Sequence, residues 1–124
     1  MKGQDAERLA GVLEQCPALA HLDLSLNSDF RAAGAERLAG VLGQCRELVH
    51  LNLCNNNIGS GRAERLAGVL PQCPALAHLD LSWNDIGTVG ELRLRASWRG
   101  QASGLVVTPH REGGRNETHY EQMY

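Results

Sequence analysis

Two hydrophobic periods alternate along the chain. The first places apolar residues at i, i+3 and i+4: Leu9, Val12 and Leu13; Leu38, Val41 and Leu42; Leu66, Val69 and Leu70. That spacing lines one face of a helix. The second is strict alternation. Leu22 and Leu24 alternate with His21, Asp23 and Ser25; Leu51 and Leu53 with His50, Asn52 and Cys54; Leu79 and Leu81 with His78, Asp80 and Ser82. Alternation puts the leucines on one face of a strand and the polar residues on the other. An asparagine follows each strand, at Asn27, Asn56 and Asn84.

The two patterns are joined in a repeat. "AERLAGVLEQCPALAHLDLSLN" starts at Ala6, "AERLAGVLGQCRELVHLNLCNN" at Ala35 and "AERLAGVLPQCPALAHLDLSWN" at Ala63, giving steps of 29 and 28 residues. Each copy therefore predicts a helix followed by a short strand. Glu7, Glu36 and Glu64 fit a first turn, where the helix dipole favours an acid. Asp5 and Gly34 fit the helix entries, and Pro17 and Pro74 fit the stops. Arg62 replaces the glycine found at Gly34 and Gly90, which predicts strain if that entry needs positive φ. Gly11, Gly40 and Gly68 lie inside the helices at about 1 kcal/mol each relative to alanine, which predicts close approach of neighbouring helices. The joint after Asn27, "SDFRAAGA", is one residue longer than its counterpart, and Phe30 is its expected core plug.

The consensus L-x-x-L-x-L-x-x-N is the leucine-rich-repeat pattern. Leucines point between a helix layer and a strand layer, and the asparagine amide turns inward to satisfy backbone groups at the corner. With a helix in every 28–29-residue step, the repeats resemble the ribonuclease-inhibitor-like type. "GAERLAGVL", "CPALAHLDLS" and "NDIG" look most like the C-terminal repeats of NLR (NACHT-LRR) innate immune receptors. The resemblance spans about residues 4–90 and implies an α/β leucine-rich-repeat solenoid. It would be a short curved horseshoe segment with parallel strands on the concave face and helices on the convex face. An NLR also carries a NACHT domain and usually a death-fold domain; neither is present here, so receptor activity does not carry over.

The expected organisation is three repeats over residues 1–90 (about 4–33, 34–61 and 62–90). A degenerate capping helix is expected at 91–99 and disorder over 100–124, apart from an apolar patch at Leu105, Val106 and Val107. The alternation of Leu92, Leu94, Ala96 and Trp98 fits a strand as well as a helix. Neither end shows a sequence cap, which predicts a segment of a longer array that self-associates through its ends.

Composition narrows the function. The net charge is −2 and the only lysine is Lys2, so neither a nucleic-acid surface nor a P-loop is expected. No apolar run approaches the roughly 20 residues of a membrane span, and the first residues do not read as a signal peptide. A cytoplasmic location is the expectation, and the sequon at Asn116–Thr118 then has no use. Cys16, Cys45 and Cys73 occupy one repeat position and no C-x-x-C pair occurs. Reduced, buried cysteines are expected rather than disulfides or zinc.

The polar strand face carries the candidate chemistry. It reads His21, His50, His78; then Asp23, Asn52, Asp80; then Ser25, Cys54, Ser82, with Trp83 at the rim. A hydrolytic triad would need serine bonded to histidine and an oxyanion hole. A flat strand with the acid in the middle offers neither, so no catalytic residue is assigned and no enzyme activity is expected. Neighbouring histidines could converge on zinc or copper, but no closed ligand set is legible, and neither metal nor cofactor is assigned. The expectation is a non-enzymatic module that binds a protein partner through these ten residues, in NLR-like innate immune signalling. An inhibitor-like regulator of an enzyme, or a truncated repeat fragment without independent function, is the alternative. Leu22, Leu24, Asn27, Leu51, Leu53, Asn56, Leu79, Leu81 and Asn84 are assigned to structure.

Overall fold

A computed structural model describes residue 8, residues 11–25 and residues 31–108; for residues 31–35 it describes the backbone alone. The elements are β1 (His21–Asp23), α1 (Arg31–Leu42), β2 (His50–Asn52), α2 (Gly59–Val69), β3 (His78–Asp80), α3 (Gly87–Ser97) and β4 (Leu105–Val106). Helical turns at residues 8 and 11–13 precede β1. Short 3-10 turns at Leu70–Gln72 and Ala102–Gly104 lead into β3 and β4. The strands form one parallel sheet in the order β1-β2-β3-β4. His21 pairs with His50 and His50 with His78; Leu79 pairs with Leu105 and Asp80 with Val106.

The fold is thus the α/β solenoid that the two periods predict. Leu51, Leu53, Leu79 and Leu81 of the strands meet Leu38, Leu42, Leu66 and Leu94 of the helices in one core, together with Ile58 and Ile86. Burying each such side chain is worth about 1.5–3 kcal/mol. Asn56 and Asn84 are fully buried inside this apolar layer. Asn84 Nδ2 donates to the carbonyls of Leu53 at 2.7 Å, Leu81 at 3.1 Å and Ser82 at 3.3 Å. Its Oδ1 accepts from the backbone N–H of Asn56 at 2.7 Å and of Ile58 at 3.2 Å. Asn56 repeats the motif one step earlier, donating to Leu24 O at 2.8 Å and Leu53 O at 2.9 Å. Each amide therefore ties its own turn to the turn before it. Asn27 and Phe30 lie outside the described residues.

The helices start earlier than the sequence reading placed them. The left-handed residues are Gly59 (φ 83°) and Gly87 (φ 77°), which follow the asparagine turn and open α2 and α3. Gly34 and Arg62 lie inside α1 and α2, so Arg62 meets no positive-φ requirement. Glu36 and Glu64 fall beyond the first turn for the same reason. Asp5 and Glu7 lie outside the described residues. α2 stops at Val69 and tightens into a 3-10 turn containing Pro71, ahead of Pro74. Proline has no N–H for the next helical bond. α1, with Gly43 at that position, runs on through Leu42.

The inner glycines are not packing points. A Cβ at Gly11, Gly40 or Gly68 would meet nothing within 4 Å. They face outward and open the helix side, where Gly11, Gly40, Val41 and four charged residues line a shallow depression of about 510 Å³. Close approach occurs elsewhere. A Cβ at Gly90 would stand 3.5 Å from Ala63 Cβ, and one at Gly104 would collide with the Ala77 carbonyl oxygen.

A fourth unit continues past residue 90. The segment expected as a capping helix at 91–99 lies in α3, which begins at Gly87 and ends at Ser97. Leu94 is buried, while Trp98 sits just past the helix and donates from Nε1 to Gln101 O at 2.7 Å. The disorder expected from residue 100 does not hold at 102–108. Leu105 and Val107 bury like Leu79 and Leu81, and Leu81 N donates to Val106 O at 2.6 Å. Residues 109–124 lie outside the described residues.

The helix position that approaches a neighbour changes character in α3. Ala63 and Ala67 of α2 are buried against α3. One repeat later these positions are Glu91 and Arg95, which form an ion pair of 2.9 Å. A polar pair thus replaces the alanines that let the next helix approach.

Cys45 and Cys73 are buried and all four cysteines are free. Cys73 Sγ lies 3.5 Å from Leu42 O in the preceding repeat. Burial pushes both thiols above the ordinary cysteine value, with the neighbouring cysteine adding to the shift. Such thiols are poor nucleophiles.

Two glycine substitutions should move stability in opposite directions. Gly104→Ala should lower it by about 1–3 kcal/mol through the clash with Ala77 O. Gly40→Ala, in open space on a helix, should raise it by up to about 1 kcal/mol. Urea unfolding of both variants checks the pair.

Candidate protein-binding face

The candidate residues occupy the sheet face away from the helices. Parallel, in-register pairing aligns them in rows, with neighbouring strands about 4.8 Å apart. His21, His50 and His78 form the first row, all exposed. Their ring centroids are 5.7 and 5.6 Å apart, with rings tilted by 45° and 38°. Asp23, Asn52 and Asp80 form the second row.

The third row explains the second. Ser25 donates to Asp23 Oδ1 from its backbone N–H at 2.9 Å and from its hydroxyl at 2.7 Å. Ser82 does the same to Asp80, at 2.9 and 2.7 Å. Cys54 N donates to Asn52 Oδ1 at 3.0 Å. Aspartate or asparagine two residues before a turn residue caps that turn, which is why both types occur at this repeat position. These bonds also settle the triad. The serine hydroxyls donate to the aspartates, and among the described residues no hydrogen bond joins a histidine to either partner. Nor, among the described residues, do three or more His, Cys, Asp or Glu groups come together to hold a metal ion.

Ser82 is only 7 % exposed and its hydroxyl also points to Cys54 Sγ at 3.4 Å. It belongs to the turn and offers little to a partner, unlike the exposed histidines. The backbone N–H of Ser25, then its hydroxyl, holds the Asp23 carboxyl below the ordinary aspartate value; His50 adds to this and burial opposes it.

β4 extends the face and changes its character. Val106 continues the acid row opposite Asp80 and is 41 % exposed. Gly104 follows His78 along the first row, packed too closely on the Ala77 carbonyl for a side chain, and Ala77, His78, Gln101, Ser103 and Gly104 line a shallow cavity of about 330 Å³. The alternation of Leu105 and Val107, 26 residues after Leu79 and Leu81, is the signal that could have located this strand.

Trp83 lies beside the rows, 44 % exposed, with φ of 61°. The equivalent residue one repeat earlier is Asn55, also at φ 61°. Asparagine adopts this left-handed conformation readily; a bulky aromatic does so only under strain.

Residues 72–90 match the family model described as Leucine Rich repeat. The matched stretch runs from the end of the 3-10 turn through β3 and Asn84 into α3. The fold is a short leucine-rich-repeat solenoid segment. No curated protein matches the chain. Leucine-rich repeats generally mediate protein–protein contacts and are typically non-enzymatic. Among the described residues no helix is long and apolar enough to cross a membrane.

The bonds at Asp23 predict a titration. A depressed carboxyl stabilises the fold above the unfolded value of about 3.9, and that contribution disappears as pH falls through the folded value. Carboxyl-carbon NMR should give Asp23 a midpoint below the ordinary one. Ser25→Ala, which removes one of the two donors, should bring it part of the way back.

Proposed function

We propose that the chain is a non-enzymatic interaction module whose strand face binds a protein partner. The carrying observation is Trp83. A large aromatic is held exposed, in a left-handed conformation that its repeat equivalent fills with asparagine. Folding alone would favour asparagine there. Strain retained at an exposed aromatic points to recognition, since such residues anchor interfaces. His21, His50 and His78 with Asp23, Asn52 and Asp80 supply the polar surface around it. Asp23 is locked at one oxygen before any partner arrives, so little ordering is lost on binding there.

The repeat phrases resembling NLR C-terminal repeats extend this reading to innate immune signalling. A cytoplasmic location is part of the same proposal. Neither nucleic acid nor a membrane surface is the proposed partner, because the face offers acids and imidazoles and no lysine or arginine.

One substitution separates a structural tryptophan from a binding one. Trp83→Asn should raise stability by about 1 kcal/mol through relief of backbone strain. The same change should reduce capture of partner protein at least tenfold, a loss of about 1.4 kcal/mol. Capture is read with a photoreactive side chain at position 78, and with one at Glu64 on the helix side as control. A stabilised variant that captures the same partner undiminished would count against the reading.

A further inference from the structure

We infer that the histidine row is a binding site for a late first-row divalent metal ion such as zinc. His50 is the ligand common to two alternative pairs, His21 with His50 and His50 with His78. The first observation is spacing. The ring centroids lie 5.7 Å apart in one pair and 5.6 Å apart in the other. With metal–nitrogen bonds of about 2.0–2.1 Å and a ring centre about 1.1 Å behind each nitrogen, two imidazoles on one tetrahedral ion stand about 5.2 Å apart. Small rotations about the side-chain bonds bring either pair to that separation.

The second observation is availability. All three histidines are exposed. None of their rings takes part in a hydrogen bond among the described residues, so a ring nitrogen gives up no protein partner to take the ion. The acids of the next row are held differently, since Asp23 and Asp80 accept from the hydroxyls of Ser25 and Ser82. They stand two residues along each strand, about 6.6 Å away at the backbone. From there they offer negative charge to a cation without joining its ligands, and Asp23 already interacts electrostatically with His50.

The third observation is a fixed backbone beneath the rings. The sheet pairs His21 with His50 and His50 with His78 in register. His50 N donates to Ala20 O and His78 N to Val49 O, each at 3.0 Å. Only side-chain rotation is therefore lost when the ion binds. No group of three or more ligands converges among the described residues, so water completes the shell, as in zinc sites that keep an open position. A neutral imidazole has one nitrogen lone pair to give, so His50 serves one pair at a time and the chain takes one ion here. Imidazole selects zinc, copper and nickel over magnesium, which seeks oxygen. The site lies on the face proposed to meet a partner but does not rest on that reading, because the ion binds the chain alone.

Zinc titration of the full chain in thiol-free buffer, followed through the imidazole carbon–proton NMR signals, tests this. The His50 signal should move furthest, with His21 and His78 each moving about half as far because the ion divides between the two pairs. Magnesium at the same concentration should move none of them. His50→Ala should weaken the response of His21 and His78 to zinc by at least about tenfold, since even outer-shell partners of a ligand are worth about 10–100-fold. His21→Ala should halve the affinity at most and let His78 move in full. Equal shifts at these three and at His110 and His119 would mean that each ring binds zinc alone, and would overturn the proposal. So would an absence of shifts, a response to magnesium, or a His50→Ala chain that binds zinc through His21 and His78 as tightly as before. The unmodified chain gives the first of these readings by itself, whatever the variants do to folding.

Discussion

The described turns hang on a buried amide, present at Asn56 and again at Asn84. An asparagine side chain in an apolar core is tolerable only when its donors and acceptor are all used. Asn84 meets that condition with carbonyls of its own turn and of Leu53, and with the N–H groups of Asn56 and Ile58. No apolar residue could satisfy those backbone groups. The amide therefore fixes the corner geometry, and through it the spacing of each turn from the one before.

Fixed spacing has two consequences. It forces equivalent residues into rows, so one unit's chemistry becomes a surface. The histidine, acid and serine rows are products of that duplication. Most of the acid–serine bonding then goes into capping the turns, which leaves the histidines and Trp83 as the groups free to meet a partner. Fixed spacing also makes each unit depend on its neighbour for burial. Val41 is covered by the unit before it while Val12 is 56 % exposed, and in α3 the Glu91–Arg95 pair stands where α2 has Ala63 and Ala67.

The leucine and asparagine periods were legible because each position has one role in every copy. The strand rows were legible for the same reason, down to which residues share a face. The helix starts were not. The similarity of "AERLAGVL" in three copies drew attention to the middle of each helix, whereas the entry depends on the positive φ of Gly59 and Gly87 three residues before Arg62 and Gly90. The inner glycines were misread because recurrence alone does not say which way a residue faces. β4 was legible only as an apolar patch, because Val106 between Leu105 and Val107 replaces the polar residue that marks the other strands. The change from Ala63 and Ala67 to Glu91 and Arg95 escaped because it acquires meaning only once the two helices are superposed by repeat. The strain at Trp83 has no sequence signal beyond its alignment with Asn55.

Equilibrium urea unfolding of Asn84→Ala is the most direct test of the central claim. The variant strands two backbone N–H groups and several carbonyls in the core. It should lose at least about 3 kcal/mol, on the basis of about 1–3 kcal/mol for each buried group left unsatisfied, or fail to unfold cooperatively. A loss below about 1 kcal/mol with the cooperativity retained would contradict the account. The spacing of the turns would then rest on the leucines alone.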